Sequence, residues 1–329
     1  MRNSRREFLQ ATSAAALGLT ALGRAAAQTA AGPSGEKAGN AHQPAPTQPA
    51  PQTVAAQPIQ VPKIKFGGVE IGRMVLGVNP FLGGAHYNQN FSACMGEFYT
   101  QDKICEVMHY ANSFGINAFN YVHMGRVPAA LAQFRAEGGE MYLIPQVTGK
   151  DDPAFLVQNL KPLGLQRRGE EVDAAFNKKD MTSEREWCKK VRDLGVLVGV
   201  GTHRSEVIEL IEEQGWDVDF YAGCVYGRTR TEAEWRGLLN GELPEMPREI
   251  YLQSDPARMY KVMRQTKKPC FAFKILAAGR VSDADVPKAF RTALESIKPT
   301  DGLFVGYFPK RKDEIRENVE TMNKIATGA

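Results

Sequence analysis

The stretch Gly115-Ile116-Asn117-Ala118-Phe119-Asn120-Tyr121-Val122-His123 follows a predicted helix and decides the fold. Its first half is apolar, as in a buried parallel strand, and its second half ends in amide, phenol and imidazole groups. Side chains at the carboxyl ends of parallel strands commonly carry the chemistry of barrels. The stretch therefore predicts a strand end at an active face, with Asn120, Tyr121 and His123 as candidate catalytic residues.

Apolar strands and amphipathic helices alternate along most of the chain. The apolar runs predict eight strands, at 73–79, 115–123, 141–147, 162–168, 196–203, 218–226, 269–274 and 302–307. Before them, Gly67-Gly68 separates two short apolar runs and predicts a β-hairpin. Eight strand–helix units in roughly 265 residues have the size of a TIM barrel. We predict an α/β fold, a single (β/α)8 TIM barrel with a short N-terminal β-hairpin.

An open, doubly wound sheet is the alternative architecture. Such sheets commonly carry a G-x-G-x-x-G motif between a strand and a helix, and this sequence has none in that position. The segment 79–99, rich in Gly, Asn and aromatic residues, is predicted as a long loop beside the first strand.

The first 27 residues have the order of a cleavable export signal. Arg5-Arg6 precedes an apolar segment at 11–22 and the small residues Ala25-Ala26-Ala27. This arrangement resembles a twin-arginine signal, which implies a periplasmic or otherwise exported protein and the twin-arginine export machinery as a partner. The alternative is a cytosolic protein with an Ala-rich leader. The apolar segment is too short for a comfortable membrane span, so none is expected after cleavage.

Two further segments complete the predicted domain organisation. Residues 28–62 are rich in Ala, Pro and Gln and bury too little apolar surface to offset their ordering entropy, so they predict a disordered linker. Residues 63–329 form the predicted barrel.

Composition excludes several classes of function. The net charge of +4 is small for 329 residues, and no run of Lys and Arg alternates with aromatics, so a nucleic-acid partner is not expected. The five cysteines include no C-x-x-C pair, which argues against a zinc knuckle or a dithiol redox motif. Cys94 with Cys105 is one candidate disulfide, whereas Cys224 and Cys270 lie in apolar runs and predict buried thiols.

Ionisable residues follow several predicted strands. His86, His123 and His203 suit acid–base chemistry, or a divalent metal, although no H-x-H or H-E-x-x-H spacing favours a metal. Lys274 ends an apolar run, and a desolvated lysine has the lowered pKa that Schiff-base or general-base chemistry needs. A lysine whose ammonium reaches the solvent is the alternative.

Amide and aromatic side chains occupy other strand ends. We expect the carboxyl ends of the strands to form the mouth of the predicted barrel. This mouth is expected to be lined by His86 and by Asn79, Asn120, Gln146 and Tyr226. Such a lining suits neutral polyhydroxylated ligands such as sugars. We expect Asn79, His86 and Tyr226 to bind the substrate, a small molecule, and Gln146 to belong to the catalytic set.

Four features together resemble the aldo/keto reductases. They are the N-terminal hairpin, Gly115-Ile-Asn-Ala-Phe119, Val198-Gly-Val-Gly-Thr-His203 and Glu317-Asn318 in the last unit. The resemblance covers nearly the whole predicted barrel. It implies a TIM barrel and reduction of a small carbonyl compound with a nicotinamide cofactor.

The resemblance also implies an altered catalytic set. The family uses an Asp, a Tyr, a Lys and a His, and the corresponding positions here are Asn120, Met124 with Tyr121 and His123 close by, Gln146, and the stretch 166–168. A tyrosine of ordinary pKa needs a nearby cation or proton relay to act as an acid at neutral pH. Neither Asn120 nor Gln146 carries a charge, so an unmodified reductase mechanism is not expected.

The same resemblance places the cofactor near the end of the chain. Glu317 and Asn318 match the positions next to the adenine, and Lys310 and Arg311 are candidate contacts for NADP or NAD. A solvated basic loop is the alternative reading of Lys310 and Arg311.

Three hypotheses follow. The first is an exported aldo/keto reductase-like enzyme that acts on a small carbonyl or sugar-like substrate. The second is a non-redox lyase, isomerase or epimerase that moves protons with His123, His203 and Lys274. The third is a barrel that binds a ligand without catalysis, because one fold hosts all three activities.

Overall fold

A short antiparallel hairpin precedes the main sheet. The computed structural model describes residues 55–244 and 249–328, and the predicted signal peptide lies outside them, as does most of the predicted linker. Strands β1 (Lys63–Phe66) and β2 (Val69–Gly72) pair through Gly67 and Gly68, which both have positive φ. Glycine makes this tight turn without steric cost. The predicted hairpin is confirmed.

The strands after the hairpin form one parallel sheet. They are β3 (Met74–Gly77), β4 (Ala118–Asn120), β5 (Tyr142–Leu143), β6 (Gln146–Val147), β7 (Gly164–Arg167), β8 (Leu197–Thr202), β9 (Phe220–Cys224), β10 (Cys270–Phe273) and β11 (Gly302–Val305). Their order in the sheet is β5-β4-β3-β11-β10-β9-β8-β7-β6. All the pairings are parallel, so the carboxyl ends of the strands meet at one edge.

The two outermost strands of this order are consecutive pieces of one segment, 142–147. The backbone N–H of Ile144 donates to Phe119 on one side (2.9 Å), and the carbonyl of Pro145 accepts from Gln166 on the other (2.8 Å). Pro145 has no N–H to donate, which interrupts the ladder between β5 and β6. The sheet is therefore curled, with both of its outermost strands in this one segment, and the predicted α/β class is confirmed.

Helices follow the strands. They are α1 (Gln89–Phe98), α2 (Gln101–Ser113), α3 (Val127–Ala136), α4 (Pro153–Leu160), α5 (Gly169–Asn177), α6 (Thr182–Asp193), α7 (Ser205–Glu213), α8 (Glu232–Leu238), α9 (Asp255–Gln265), α10 (Val286–Ser296) and α11 (Glu314–Thr327). The prediction of a loop throughout 79–99 was wrong, because α1 begins after Asn88, whose side chain accepts the Phe91 N–H (2.8 Å). Helix α5 was not predicted.

The hairpin closes the amino-terminal end of the curled sheet. The ring of Phe66 packs edge-on against Phe220 and Phe271, with ring centroids 5.2 and 5.0 Å apart. Apolar side chains from alternate strand positions complete this inner core, and a second, larger core lies between the sheet and the helices. The apolar inner core leaves the opposite, carboxyl-terminal end of the sheet for polar chemistry.

The structure shows the state of the cysteines named in the sequence predictions. Cys94 is exposed and Cys105 is buried, and both are free thiols, so the candidate disulfide is not formed. Cys224 and Cys270 are buried, as predicted.

In 55–244 and 249–328, no helix combines the length and apolarity that crossing a membrane requires.

The packing of Phe66 predicts a large loss of stability on truncation. Phe66→Ala is expected to lower the free energy of unfolding by about 3–5 kcal/mol, because it leaves a cavity beneath Phe220 and Phe271. Lys65→Ala, at the exposed neighbouring position, should change it by less than about 0.5 kcal/mol. Urea denaturation measures both, and similar small effects for the two variants would contradict the closing role of the hairpin.

Candidate active site

Three amides fill the centre of the carboxyl-terminal end of the sheet. Asn120, at the end of β4, donates through Nδ2 to Gln166 Oε1 (3.0 Å) and to the Ile144 carbonyl (3.0 Å), and its Oδ1 accepts from Gln146 Nε2 (2.7 Å). Gly201 makes room for Gln166, since a Cβ there would lie 2.6 Å from Gln166 Nε2. The structure thus brings Asn120 and Gln146 together, as predicted, in a group that carries no charge.

Tyr121 and His123 lie elsewhere. Because successive side chains of a strand alternate between its two faces, Tyr121 points to the helix side of the sheet, where it packs on Phe119. Its hydroxyl lies 2.7 Å from His123 Nδ1, and His123 is exposed beside Phe155 of α4. Burial raises the pKa of the Tyr121 phenol, which makes it a weaker acid. These two residues do not join the amides.

His203 forms a buried pair with Asp173. The imidazole is 3 % exposed, and its Nδ1 lies 2.7 Å from Asp173 Oδ2. The carboxylate also accepts from the hydroxyls of Thr202 (2.5 Å) and Thr229 (2.9 Å). Burial lowers the pKa of His203, although Asp173 opposes the shift. A neutral ring that donates from Nδ1 to the carboxylate keeps Nε2 as a proton acceptor.

Glu249 is the centre of a charged group at the same end of the sheet. Its Oε1 lies 2.8 Å from His86 Nδ1 and 2.6 Å from Arg228 Nη1, and its Oε2 accepts from the Tyr251 hydroxyl (2.7 Å). Burial alone would raise the pKa of Glu249, but the His86 hydrogen bond and the charges of Lys274 and Arg228 outweigh it and hold the pKa far below its usual value. We call Glu249, His86, Arg228, Tyr251 and Lys274 the mouth cluster.

Lys274 is the member of the mouth cluster without a hydrogen bond. Its side chain is 7 % exposed, and its buried Nζ has no partner among the described residues. Glu249 Oε2 is 3.7 Å away, which is an ion-pair distance but too long for a hydrogen bond. Burial, with the nearby Arg228 charge adding to it, lowers the pKa of Lys274 from 10.5 to about 8.

The backbone around Lys274 is strained. Lys274 has φ +62°, and Ala277 and Ala278 in the same loop have φ +50° and +52°. Residues with a Cβ enter this left-handed region at a steric cost that the surrounding structure must offset. Such strain is concentrated at functional sites, and here it occurs at the lysine that lacks a hydrogen-bond partner.

Arg228 connects the mouth cluster to α5. It pairs with Glu249 and, through its other terminal nitrogen, with Glu170 at the start of α5. His203 lies nearby, since its ring contacts that of Phe273, the residue before Lys274, at 5.5 Å. The His203–Asp173 pair and the mouth cluster are therefore neighbours.

The three predicted substrate-binding residues all reach the mouth cluster. Asn79 Nδ2 lies 3.2 Å from His86 Nε2, and His86 contacts Glu249. The Tyr226 ring packs against Tyr251 with centroids 4.8 Å apart. Desolvation lowers the pKa of His86, so this imidazole is neutral at physiological pH. His86 thus contacts Glu249 directly, and Asn79 and Tyr226 contact other members of the mouth cluster.

The predicted cofactor residues form no comparable group. Lys310 and Arg311 are exposed, and Glu317 is paired with Lys312 (2.9 Å). Asn318 is buried at 5 % exposure. No cluster of buried cations stands here to receive a phosphate.

The neighbouring residues also have partners within the protein. Lys312 pairs with Asp283 (3.1 Å) in addition to Glu317, and the Glu314 carboxylate accepts the Phe308 N–H (2.7 Å). The ring of Phe308 packs on Phe98. Binding of NADP or NAD by Lys310, Arg311, Glu317 and Asn318 therefore stays a prediction.

Three of the five members of the mouth cluster, Arg228, Glu249 and Tyr251, were not predicted from the sequence. Asp173 and Glu170 lie on α5, the helix that was not predicted. Arg228 stands two residues after Tyr226, so the pattern of polar residues at strand ends could have identified it. Glu249 has no such signal, because it lies in the connection between α8 and α9, far from any strand end.

Replacing Asn120 by an acid is expected to destabilise the protein. Asn120→Asp removes both donated hydrogen bonds and places a carboxylate against the Ile144 carbonyl and Gln166 Oε1, which should lower the free energy of unfolding by about 2–4 kcal/mol. The control Asn112→Asp removes one half-exposed bond to Glu140 and should cost less than about 1 kcal/mol. Urea denaturation at pH 7 measures the difference, and equal effects would contradict the amide group.

Replacing Lys274 by an apolar residue is expected to stabilise the protein. The unfolded lysine titrates near 10.5 and the folded one near 8, so the cost of the buried charge is fully present below pH 8 and disappears as the pH rises to 10.5. Lys274→Met should therefore gain roughly 2–3 kcal/mol at pH 7 and less at pH 9.5. Lys161→Met, at an exposed lysine with φ +49°, is the control and should change little at either pH. Loss of stability in Lys274→Met at pH 7 would contradict this account.

Comparisons with known proteins give low similarities. No family profile matches the chain, and no curated protein matches it. Among solved structures, a truncated 3-deoxy-D-arabino-heptulosonate 7-phosphate synthase from Thermotoga maritima is 13% identical, with 82% of this chain and 92% of that chain covered and a TM-score of 0.45. Gox0644 in its apo form is 13% identical, with 81% and 93% covered and a TM-score of 0.45. An aldo/keto reductase from Brucella melitensis is 14% identical, with 82% and 100% covered and a TM-score of 0.44.

Proposed function

We propose that the curled sheet is a closed (β/α)8 barrel of the TIM type. The hydrogen bonds of segment 142–147 to β4 on one side and β7 on the other support closure. The split of one strand into β5 and β6 then accounts for nine assigned strands in an eight-stranded barrel. The mouth cluster lies at the carboxyl ends of the strands, where TIM barrels carry their active sites.

We propose that the protein is a non-redox enzyme of carbonyl chemistry, a lyase, isomerase or epimerase, that uses Lys274. The observation that carries this proposal is the buried Nζ of Lys274, which has no hydrogen-bond partner among the described residues and lies 3.7 Å from a carboxylate. A pKa of about 8 gives roughly three-hundred-fold more neutral amine at pH 7 than an ordinary lysine has. A neutral amine is the form that attacks a carbonyl carbon or accepts a proton.

The proposed covalent step balances without an added oxidant or reductant. The neutral Lys274 amine adds to the substrate carbonyl, and the adduct takes up one proton from solvent and loses water to leave a protonated imine. Breaking a C–H bond at the adjacent carbon releases a proton to solvent, and breaking a C–C bond there releases a second carbonyl compound and its hydroxyl proton. In either case the electron pair moves into the iminium to form an enamine. Protonation of the enamine and hydrolysis then return the amine. The ionised Glu249, 3.7 Å from Nζ, stabilises the cationic imine electrostatically.

The charged side chains of the mouth cluster are largely paired with one another. Lys274 and Arg228 lie beside the carboxylates of Glu249 and Glu170, and His86 is neutral. Arg280, which donates to the backbone carbonyls of His86 and Glu249 and packs on the Tyr251 ring, adds one positive charge at the edge of the cluster. The amide of Asn79 and the phenols around Glu249 suit the hydroxyl groups of a small sugar-like carbonyl compound.

Carbonyl reduction is supported less well. The Asp, Lys and His positions of the reductases hold an uncharged amide group, and Tyr121 lies on the helix side of the sheet with a raised pKa. The predicted cofactor residues are exposed, paired with other side chains or buried. A barrel that binds a ligand without catalysis is the remaining alternative, and the test below separates all three.

We also propose that the protein is exported through the twin-arginine pathway to the periplasm. Support comes from the sequence alone, in the order of Arg5-Arg6, the apolar segment and Ala25-Ala26-Ala27.

The test uses a panel of small hydroxyaldehydes and hydroxyketones in D2O. The native protein should catalyse exchange of the proton next to the carbonyl in at least one member of the panel, as measured by NMR, and sodium borohydride should attach that compound to the Lys274 peptide, as measured by mass spectrometry. Lys274→Met should lose at least about a hundred-fold of the exchange rate. Lys161→Met should retain it.

Each alternative has its own outcome. Exchange that persists in Lys274→Met, or labelling of Lys161 as fast as Lys274, would contradict the proposal. Reduction of the panel only when NADPH or NADH is added would favour the reductase hypothesis. Tight binding of a panel compound without exchange or reduction would favour a non-catalytic barrel.

A further inference from the structure

A second group of reactive side chains lies in the helical layer, away from the strand ends. Cys105 and His109 are four residues apart on α2 and therefore share one face of that helix. Glu137 follows directly after the last residue of α3 and faces them. The Glu137 Oε2 atom lies 3.2 Å from Cys105 Sγ and 2.8 Å from His109 Nε2. These three atoms lie within 4.8 Å of one another, in the one such group among the described residues.

We propose that Cys105, His109 and Glu137 form a binding site for a divalent transition-metal ion, Zn2+, which joins α2 to α3. A thiolate, an imidazole and a carboxylate are the three ligand types that zinc takes from proteins. Zinc–ligand bonds of these kinds imply distances of roughly 3.3–3.8 Å between ligand atoms in a tetrahedral site. The two Glu137 separations need to lengthen by only a few tenths of an ångström, and the Cys105 Sγ to His109 Nε2 separation, which is within 4.8 Å, needs to fall in the same range.

The surroundings prepare the ligands for this role. Gln133 Nε2 donates to Glu137 Oε1 (2.9 Å), so the other carboxylate oxygen is the one directed at Cys105 and His109. The His109 ring packs on Phe134, with centroids 4.6 Å apart, which restricts its rotation. Outer contacts of this kind orient metal ligands in known sites.

Access and stoichiometry are compatible with one ion. Cys105 and His109 are buried, while the Glu137 side chain is 26 % exposed and opens the group to solvent. Binding exchanges the Cys105 thiol proton, which passes to solvent, for a sulfur–metal bond. A water molecule would complete four-coordination from the exposed side.

Cobalt is the spectroscopic probe for the test. Titration of the untagged full-length protein with Co2+ should give a thiolate-to-cobalt charge-transfer band that saturates at one equivalent and disappears when Zn2+ is added. Cys105→Ser should abolish the band, and Glu137→Gln should weaken Co2+ binding at least ten-fold. Cys94→Ser, which removes the exposed cysteine of α1, is the matched control and should leave the band unchanged.

A second readout does not depend on cobalt. Zn2+ should raise the thermal unfolding midpoint of the native protein and of Cys94→Ser but not of Cys105→Ser, because the ion cross-links two helices. Circular dichroism checks that each variant folds, and Glu137→Gln replaces Cys105→Ser if the latter does not. A native protein without the band, a band retained in Cys105→Ser, or an equal thermal shift in all variants would overturn the proposal.

Discussion

One carboxylate holds the mouth of the sheet together. Glu249 is contacted by His86 from the segment after β3, by Arg228 after β9 and by Tyr251 from its own connection, and it lies 3.7 Å from Lys274 after β10. Its Oε1 is shared by His86 and Arg228 and its Oε2 accepts from Tyr251, whereas Lys274 makes an ion-pair contact and no hydrogen bond. The low pKa of Glu249 follows from this arrangement, because its partners outweigh the effect of burial, whereas the lowered pKa of Lys274 follows from burial, which the charge of Glu249 opposes.

The alternation of side chains along β4 decides which residues share that mouth. Asn120 and Tyr121 are adjacent in sequence, yet Asn120 joins the central amides and Tyr121 packs under the helices. An acid–base mechanism that uses both side chains on one substrate therefore conflicts with the pleat of the strand. The Lys274–Glu249 ion pair belongs instead to the mouth cluster, after β10.

Much of the fold could be predicted, because parallel strands leave a strong apolar signal. The runs before Asn120 and Thr202, and the Gly67-Gly68 turn, are local patterns that correspond directly to β4, β8 and the hairpin. Helices α1 and α5 were harder, since α1 is rich in polar and small residues and α5 follows the short strand β7 almost directly.

The candidate site was predictable only in part, because only some of its residues stand next to a strand. Lys274, His86 and Asn79 stand just after strands, so the topology brings them together, and the pattern of strand ends finds them. Glu249 comes from a connection whose position depends on tertiary contacts with Arg228 and His86 rather than on its local sequence. The lowered pKa of Lys274 depends on burial and on the nearby Arg228 charge, and no local pattern reveals either.

The central claim is that the folded protein holds Lys274 as a buried amine of lowered pKa. Heteronuclear NMR of the protein with isotopically labelled lysine, assigned with Lys274→Met, measures the titration of this amine directly. We predict a midpoint near 8, about 2.5 pH units below that of an ordinary lysine. A midpoint above 10 would show that the ammonium is solvated or fully paired, and would contradict the proposed role of Lys274.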